Sequence, residues 1–160
     1  MKVLIVSDTH GRHDGIEAAI EREKPFQMLI HLGDAEGYED YIEALAECPI
    51  EAVAGNSDYF SGLPQEKELL VDNLRILITH GHYYCVSNGY ERICQEGISR
   101  QMDIVMFGHT HRPVILEKDG IIVLNPGSLS FPRQRDGQRS YIVMEKSEGE
   151  PPTFEIKYVD

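Results

Sequence analysis

The stretch Lys2–His10, with the sequence KVLIVSDTH, sets a pattern that recurs along the chain. Its apolar run Val3–Val6 predicts a short buried strand, and Asp8 and His10 follow directly after it. Four further apolar segments, QMLIHLGD, IEAVAGNSD, RILITHG and DIVMFGHTH, end in polar groups of the same kind, namely Asp34, Asn56, His80, His109 and His111. Seven side chains able to bind a metal therefore stand just beyond the ends of five predicted strands.

The position of these groups matters because ligand sites in open α/β sheets form beyond the carboxyl ends of the strands. Each group alone has an ordinary structural explanation: Gly33-Asp34 and Gly55-Asn56 are typical turn pairs, and His80-Gly81-His82 could be a hydrogen-bonded loop pair. All five in order would require five coincidences. We therefore interpret the seven side chains as one metal site at the rim of a sheet.

The net charge of the chain limits the kinds of partner that it can bind. The 160-residue chain carries a formal net charge of −12, which disfavours extended contact with nucleic acid or with an anionic membrane. A small anionic substrate stays compatible with this charge, because bound cations can reverse the local sign. The sequence does not indicate an oligomeric state, so a homo-oligomer stays open.

The cysteines and the apolar runs bear on the compartment. Cys48, Cys85 and Cys94 are odd in number and form no CxxC pair, so we expect three unpaired, buried thiols in a reducing cytoplasm. No apolar run approaches the length of a membrane span, and Val3–Val6 is too short for a signal peptide. We expect a cytoplasmic protein.

In the first half of the chain, strands alternate with helices. Val3–Val6, Met28–His31 and Glu51–Ala54 are predicted strands, separated by predicted helices over Asp14–Lys24 and Tyr38–Glu47. Asp14 and Glu17 have the spacing of a capping box. Successive βαβ units of this kind predict a parallel sheet with right-handed crossovers.

The second half reads mainly as antiparallel pairs. The predicted elements are a hairpin of Leu69–Val71 and Leu74–Thr79 turning at Asp72-Asn73, a helix over Asn88–Gln101 capped by Asn88, a strand at Ile104–Phe107, a pair of Val114–Glu117 and Ile121–Leu124, and a closing pair of Tyr141–Glu145 and Phe154–Val159. We expect one domain spanning residues 1–160, with two packed sheets and outer helices.

The series DTH, GD, GN, HG and GHTH resembles the calcineurin-like metallophosphoesterase superfamily. The later Asn125-Pro126-Gly127-Ser128 is similar to the small bacterial and archaeal phosphodiesterase branch, the YfcE-like group. The resemblance covers Val3 to about Arg133. It implies an α/β fold, an αββα sandwich of two mixed β-sheets flanked by helices, with a two-metal site at the sheet rim.

The same resemblance implies how the ligands are shared. The first divalent ion would be held by Asp8, His10 and His111, the second by Asn56, His80 and His109, with Asp34 bridging the two. Imidazole, carboxylate and amide ligands suit Mn²⁺, Fe²⁺, Ni²⁺ or Zn²⁺ rather than Ca²⁺, and we favour Mn²⁺. A shared carboxylate can hold two ions about 3.5–4 Å apart, the spacing used for displacement at phosphorus.

The implied reaction is hydrolysis of a small phosphodiester by a metal-bridging hydroxide, with Asp34, Asn56 and His109 as catalytic residues. Two divalent ions, two carboxylates and one hydroxide leave a single net positive charge, which matches the one negative charge of a diester. Monoesters also bind cationic sites, so this charge balance supports a diester without deciding the substrate.

The chain departs from the family pattern after Asn56. Many members have a histidine at the position of Ser57, and serine at its ordinary pKa is a poor general acid. Either the enzyme prefers acidic leaving groups, or another group such as His82 supplies the proton. We name as leaving-group or substrate contacts Ser57, Asp58, His82 and Arg112.

Three other functions compete with the phosphodiesterase. The fold resembles the retromer subunit that serves as a non-catalytic scaffold, but this chain keeps His10 and Asp34, whereas that relative departs from the catalytic set. A nuclease is disfavoured by the acidic balance. A phosphomonoesterase or protein phosphatase stays open.

Overall fold

The computed structural model describes residues 1–160, which form ten strands and three α-helices. The strands are β1 (Lys2–Val6), β2 (Met28–His31), β3 (Ile50–Ala52), β4 (Glu66–Val71), β5 (Leu74–Thr79), β6 (Ile104–Met106), β7 (Pro113–Lys118), β8 (Ile121–Pro126), β9 (Ser140–Glu145) and β10 (Thr153–Tyr158). The helices are α1 (Asp14–Glu23), α2 (Glu39–Ala46) and α3 (Glu91–Ser99). Two single-turn 3₁₀ helices, His82–Tyr84 and Val86–Asn88, precede α3.

The strands form two five-stranded sheets, in the orders β10-β9-β1-β2-β3 and β4-β5-β6-β8-β7. In the first sheet β1, β2 and β3 are parallel, and β9 and β10 extend it in the antiparallel sense. In the second sheet β5, β6 and β8 are parallel between the antiparallel edge strands β4 and β7. Both sheets are therefore mixed, with a parallel centre.

Side-chain alternation along the strands assembles the layers. On β1, Val3 and Ile5 belong to the core cluster between the two sheets, while Leu4 and Val6 belong to the cluster formed with α1 and α2. On β6, Val105 points instead to the cluster that includes residues of α3. Because both faces of these strands are buried, their sequences read as continuous apolar runs. The αββα sandwich expected from the sequence is confirmed.

Three predicted pairings are also confirmed. The hairpin turns between Val71 and Leu74, β7 pairs with β8, and the closing pair is β9 with β10. The first hairpin strand is longer than predicted, since β4 begins at Glu66. Its exposed and half-buried side chains hid this extra length from a reading of apolar periodicity.

Both predicted helix caps are wrong. His13 occupies the N-cap position of α1 without a side-chain hydrogen bond, and Glu17 accepts a hydrogen bond from the Tyr41 hydroxyl instead. Helix α3 starts at Glu91, after Tyr90 at the N-cap, because the chain first turns through the 3₁₀ helix that contains Asn88. Tertiary contacts and local turns thus override the capping pattern.

The three cysteines are unpaired, as expected, but they are not all buried: Cys85 is exposed, Cys48 is half-buried and only Cys94 lies in the core. Cys85 has a left-handed backbone between the two 3₁₀ helices, which turns its side chain outward. None of the helices is both long enough and apolar enough to span a bilayer.

Burial in the hairpin yields a matched pair of substitutions. Leu77 on β5 is fully buried, whereas Leu70 on β4 is 72% exposed. Leu77→Ala should lower the free energy of unfolding by about 2–5 kcal/mol, because it removes buried methyl groups and leaves a cavity. Leu70→Ala should change it by no more than about 0.5 kcal/mol. Urea unfolding measures both, and equal losses would contradict the burial described here.

Candidate metal centre

The carboxyl ends of the parallel strands meet at one rim, and the polar residues that follow them converge there. His10 follows β1 and His111 follows β6, 101 residues later, yet their Nε2 atoms lie 3.3 Å apart. His80, which follows β5, has its Nε2 3.3 Å from Asp34 Oδ2, although Asp34 follows β2 in the other sheet. The seven side chains singled out in the sequence therefore form a single cluster.

One half of the cluster is centred on Asp8. Its Oδ1 lies 3.2 Å from His111 Nε2 and 3.7 Å from His10 Nε2. The facing atoms of these three residues lie within 4.8 Å of one another, as metal-binding atoms do. The arrangement matches the first ligand group implied by the sequence.

The other half is centred on Asn56. Its Oδ1 lies 2.9 Å from His80 Nε2 and 3.0 Å from His109 Nδ1. The Nδ1 of His80 donates to the carbonyl of Leu32 at 2.7 Å, so Nε2 presents a lone pair toward Asn56. Two acceptors facing each other this closely need a proton or a metal cation between them.

Asp34 lies between the two halves. Its Oδ2 is 3.7 Å from His10 Nε2 and 3.3 Å from His80 Nε2, so one carboxylate oxygen faces both groups. Its Oδ1 accepts a hydrogen bond from the Ser57 backbone N–H at 2.8 Å, which fixes the orientation of the carboxylate. The carboxylate thus contacts histidines of both groups.

The buried carboxylate of Asp8 is a second feature that suits a bound metal. Asp8 is fully buried; its Oδ2 accepts hydrogen bonds from the Ser7 hydroxyl and the His109 backbone N–H, but its Oδ1 has no hydrogen-bond partner. A buried, unpartnered carboxylate oxygen is costly unless a cation satisfies it. It points toward the nitrogens of His10 and His111.

Backbone carbonyls orient the imidazoles. His111 Nδ1 donates to the carbonyl of Phe131 at 2.6 Å, as His80 Nδ1 does to Leu32. Each ring thereby turns its Nε2 lone pair toward the carboxylates. Outer partners of this kind fix the tautomer of a metal-binding histidine and raise its basicity.

The electrostatics of the cluster favour cations. Burial opposes ionisation of Asp8 and Asp34, yet hydrogen bonds and charges of the surrounding histidines keep the pKa of both carboxyls below the usual value. The nearby Asp8 carboxylate, 3.7 Å from Nε2, is the main cause that raises the pKa of His10 to about 9.

Five of the seven side chains stand on left-handed backbone. The φ angles of these residues are +54° for Asp8, +49° for His10, +62° for Asp34, +70° for His109 and +58° for His111. Residues other than glycine adopt this conformation at a cost of about 1–2 kcal/mol each. Such strain persists only where surrounding structure imposes it, and it concentrates at functional sites.

Two glycines let the loops approach closely. A Cβ on Gly55 would lie 2.1 Å from Asp34 Oδ1, and a Cβ on Gly33 would lie 2.5 Å from His80 Nδ1. Gly33 also has a φ of +105°, which side chains rarely adopt. The GD and GN motifs therefore need glycine for space around the site.

The Asn125–Ser130 segment holds neighbouring loops of the site together by hydrogen bonds, a role that the sequence did not predict. Asn125 Nδ2 donates to the Gly108 carbonyl at 2.9 Å, and the hydroxyls of Ser128 and Ser130 both donate to the Asp8 carbonyl. In the sequence, Asn125–Ser128 carries a family resemblance but indicates no structural role. The buried Asn125 instead ties the loop after β8 to the loop that carries His109.

The carboxylate of Asp58 accepts hydrogen bonds from three backbone N–H groups. Its Oδ2 accepts hydrogen bonds from the N–H groups of Asp34 and Gly55, both at 2.7 Å, and its Oδ1 accepts one from Glu36 at 2.8 Å. The carboxylate holds the β2 and β3 loops together. Asp58 therefore has a positioning role, and its contact with substrate stays a prediction.

The remaining predicted residues lie around the rim. The ring centroid of His82 is 5.4 Å from that of His80, and burial, followed by the charges of His80 and His109, lowers its pKa. The half-buried Ser57 lines the cavity described below, and Arg112 is exposed next to His111. His31 is a buried histidine at the end of β2: burial lowers its pKa to about 4, and Thr9 and the Gly33 backbone N–H hydrogen-bond its ring.

A cavity of about 650 Å³ opens beside the cluster: Ser57 in its wall follows Asn56, and Glu36 in its wall lies 3.3 Å from His10 Nδ1. We call it the acidic cavity, and its charged and aromatic lining residues are Glu36, Glu39, Asp40, Asp58, Tyr59 and Phe60. Its wall favours uncharged or cationic groups.

Comparison with known proteins agrees with this geometry. The model of the calcineurin-like phosphoesterase superfamily domain matches residues 1–149. The probable metallophosphoesterase YsnB of Bacillus subtilis is 32% identical over 145 residues, which cover 90% of this chain and 83% of that protein. The phosphodiesterase YfcE of Escherichia coli K12 is 31% identical, with 83% of this chain and 82% of that protein covered.

A solved structure extends the likeness to the whole fold. Vps29 of Entamoeba histolytica in complex with zinc superposes with a TM-score of 0.80 and covers 100% of both chains. At 21% identity this similarity shows the fold alone. The family model, the two relatives and the converging donor atoms agree. The chain belongs to the calcineurin-like phosphoesterase superfamily and is a metal-dependent phosphoesterase.

Proposed function

We propose that the chain is a phosphodiesterase that hydrolyses a small phosphodiester with two divalent ions, for which Mn²⁺ is favoured. The observation that carries this proposal is the pair of donor groups that share Asp34, together with the buried and unpartnered Oδ1 of Asp8. The name of the relative YfcE, a phosphodiesterase, supports the choice of a diester.

The ligand allocation follows the contacts. Asp8, His10 and His111 would hold one ion, and Asn56, His80 and His109 the other, with Asp34 shared. Carboxylate, imidazole and amide oxygen are ligands for Mn²⁺, Fe²⁺, Ni²⁺ and Zn²⁺, and availability in the cell selects among them. Bound there, divalent ions would supply Lewis acidity toward phosphoryl oxygens and lower the pKa of water.

Residues outside the ligand set hold the ligand-bearing loops in place. Asp58, Asn125 and the carbonyl of Phe131 hold the ligand-bearing loops before substrate arrives, so little reorganisation is needed during the reaction. The acidic cavity would receive an uncharged or cationic arm of the diester. A contact there falls to Ser57, which lines the cavity next to Asn56.

The scaffold is the second candidate, because the sandwich also matches Vps29 in fold. The complete donor set and its second layer of hydrogen bonds favour the enzyme, since a protein-contact scaffold has no need of a buried, unpartnered carboxylate oxygen. A phosphomonoesterase would differ from a phosphodiesterase in its substrate, and the assay below distinguishes the two enzymes.

We further propose that residues 1–160 form one domain, because β9 and β10 at the end of the chain pair beside β1 at its start. The exposed Cys85 and two further free thiols suit a reducing cytoplasm. The net charge of −12 argues against a nucleic-acid partner. Self-association is open to measurement by light scattering.

The decisive experiment pairs elemental analysis with hydrolysis of bis(p-nitrophenyl) phosphate under added Mn²⁺, Ni²⁺, Zn²⁺ or Mg²⁺. Asp34→Asn should reduce turnover by more than about 100-fold and loosen at least one ion, because the shared carboxylate is lost. Asp119→Asn is the control, since Asp119 also has a left-handed backbone but lies in the distant β7–β8 turn. Faster cleavage of p-nitrophenyl phosphate would favour a monoesterase; neither metal nor hydrolysis in the wild type would favour the scaffold.

Gly55→Ala tests the close approach at the shared ligand. The new methyl group would press on Asp34 Oδ1, so the affinity for metal should fall by about 10-fold or more. The metal content that remains after dialysis measures this loss. Gly62→Ala is the matched control, because a Cβ at Gly62 meets no atom within 4 Å. Unchanged metal binding in Gly55→Ala would show that the loop can move away without loss.

Ser57→His tests leaving-group protonation. The imidazole should raise turnover of diesters with poor leaving groups, by about 10²-fold if proton transfer limits the rate, and leave p-nitrophenyl esters little changed. Kinetics on methyl p-nitrophenyl and dialkyl phosphates compare the two classes. No gain with both ions bound would show that protonation does not limit the wild-type enzyme.

A further inference from the structure

We propose that a basic pocket on the His111 side of the cluster binds a phosphoryl group carried on one arm of the substrate. The cavity has a volume of about 270 Å³ and is lined by Val86, Ser87, Tyr90, Thr110, Arg112 and Arg133. We call it the arginine pocket. This inference rests on the proposed function, and it adds a specificity site to that function.

The arginine pocket adjoins the candidate metal centre. Thr110 and Arg112 flank His111 in the chain, and the Arg133 backbone N–H donates to the His111 carbonyl at 3.0 Å. The backbone that positions a ligand of the first ion therefore also positions both guanidinium-bearing residues. A substrate held at the metal centre could extend one arm into this space.

The charge of the pocket is unusual for this chain. Acidic residues outnumber basic ones by 27 to 15, and three of the nine arginines, Arg75, Arg100 and Arg139, pair with carboxylates. Arg112 and Arg133 have no carboxylate within ion-pair distance, and no acidic residue lines the pocket. Two free guanidinium groups on one cavity leave their donors available for an anion.

Hydroxyl groups add further donors. Thr110 Oγ1 accepts hydrogen bonds from the Arg112 backbone N–H at 3.3 Å and from Asn125 Nδ2 at 2.9 Å. Both lone pairs are thus used, and its O–H hydrogen stays free to donate. The exposed Ser87 hydroxyl, which also lines the pocket, makes no hydrogen bond within the protein. A phosphoryl group, with three acceptor oxygens, matches such a set better than a carboxylate with two.

The acidic cavity, which has a separate lining and also borders the cluster, gives the substrate a direction. Its carboxylates repel an anionic arm, whereas the arginine pocket attracts one. The favoured diester is therefore asymmetric, with a terminal phosphoryl group on one arm and an uncharged or cationic group on the other.

The kinetic test uses three esters with the same p-nitrophenol leaving group and different second arms: 3-phosphonopropyl, 3-carboxypropyl and butyl. The metal-loaded wild type should prefer the phosphonate ester over the butyl ester by about 10-fold or more in kcat/KM, with the carboxylate between them. In R112Q/R133Q that preference should fall by about the same factor. R75Q, a remote and exposed arginine variant, should keep it.

A binding test separates this inference from the proposed function. Propylphosphonate is titrated into the ¹⁵N-labelled full chain, with and without Zn²⁺. Backbone amide signals of Ser87, Thr110 and Arg112 should shift, and the shifts should be lost in R112Q/R133Q. If no ester is cleaved, the proposed function fails, but these shifts still decide the pocket. Equal preference for all three arms in an active enzyme, or phosphonate binding unaltered in the double variant, would overturn it.

Discussion

Two carboxylates buried side by side, those of Asp8 and Asp34, are the constraint on which the rim of this sandwich depends. Like charges removed from water repel each other strongly and must be compensated. The protein supplies part of the compensation through backbone N–H groups, the Ser7 hydroxyl and the surrounding histidines. One oxygen of Asp8 is left without a partner. The rest of the compensation falls to cations, which is why this arrangement belongs to a metal-dependent enzyme.

Much of this could be predicted from the sequence, because the relevant signals are local. Apolar runs such as Val3–Val6 and Ile104–Phe107 mark strands buried on both faces, and the polar residues just beyond them mark the rim. Parallel strands place such ends together whatever the details of packing. The αββα architecture and the clustering of seven side chains thus follow from patterns shorter than ten residues.

What could not be predicted depends on contacts between distant segments. Asp58 looks like a substrate contact in the sequence, yet its carboxylate is used by backbone N–H groups of two loops. The carbonyls of Leu32 and Phe131 carry no sequence signal at all, although they set the orientation of His80 and His111. The caps of α1 and α3 failed for a related reason: the expected capping side chains make other contacts or lie in a preceding turn.

The two flanks of the metal centre differ in sign, although the chain as a whole is acidic. Net charge therefore describes the exterior of the protein better than it describes its substrate. Local pairing of arginines with carboxylates, read residue by residue, is the more informative quantity.

The left-handed backbone at five positions of the cluster has an evolutionary consequence. Glycine adopts this conformation with little penalty, so replacing a strained ligand by glycine would relieve the fold while removing a metal-binding group. Selection for catalysis must therefore act continuously against substitutions that gain stability in this way. A protein of this fold that is no longer under selection for catalysis could lose its metal ligands and become more stable, while keeping the sandwich for other uses.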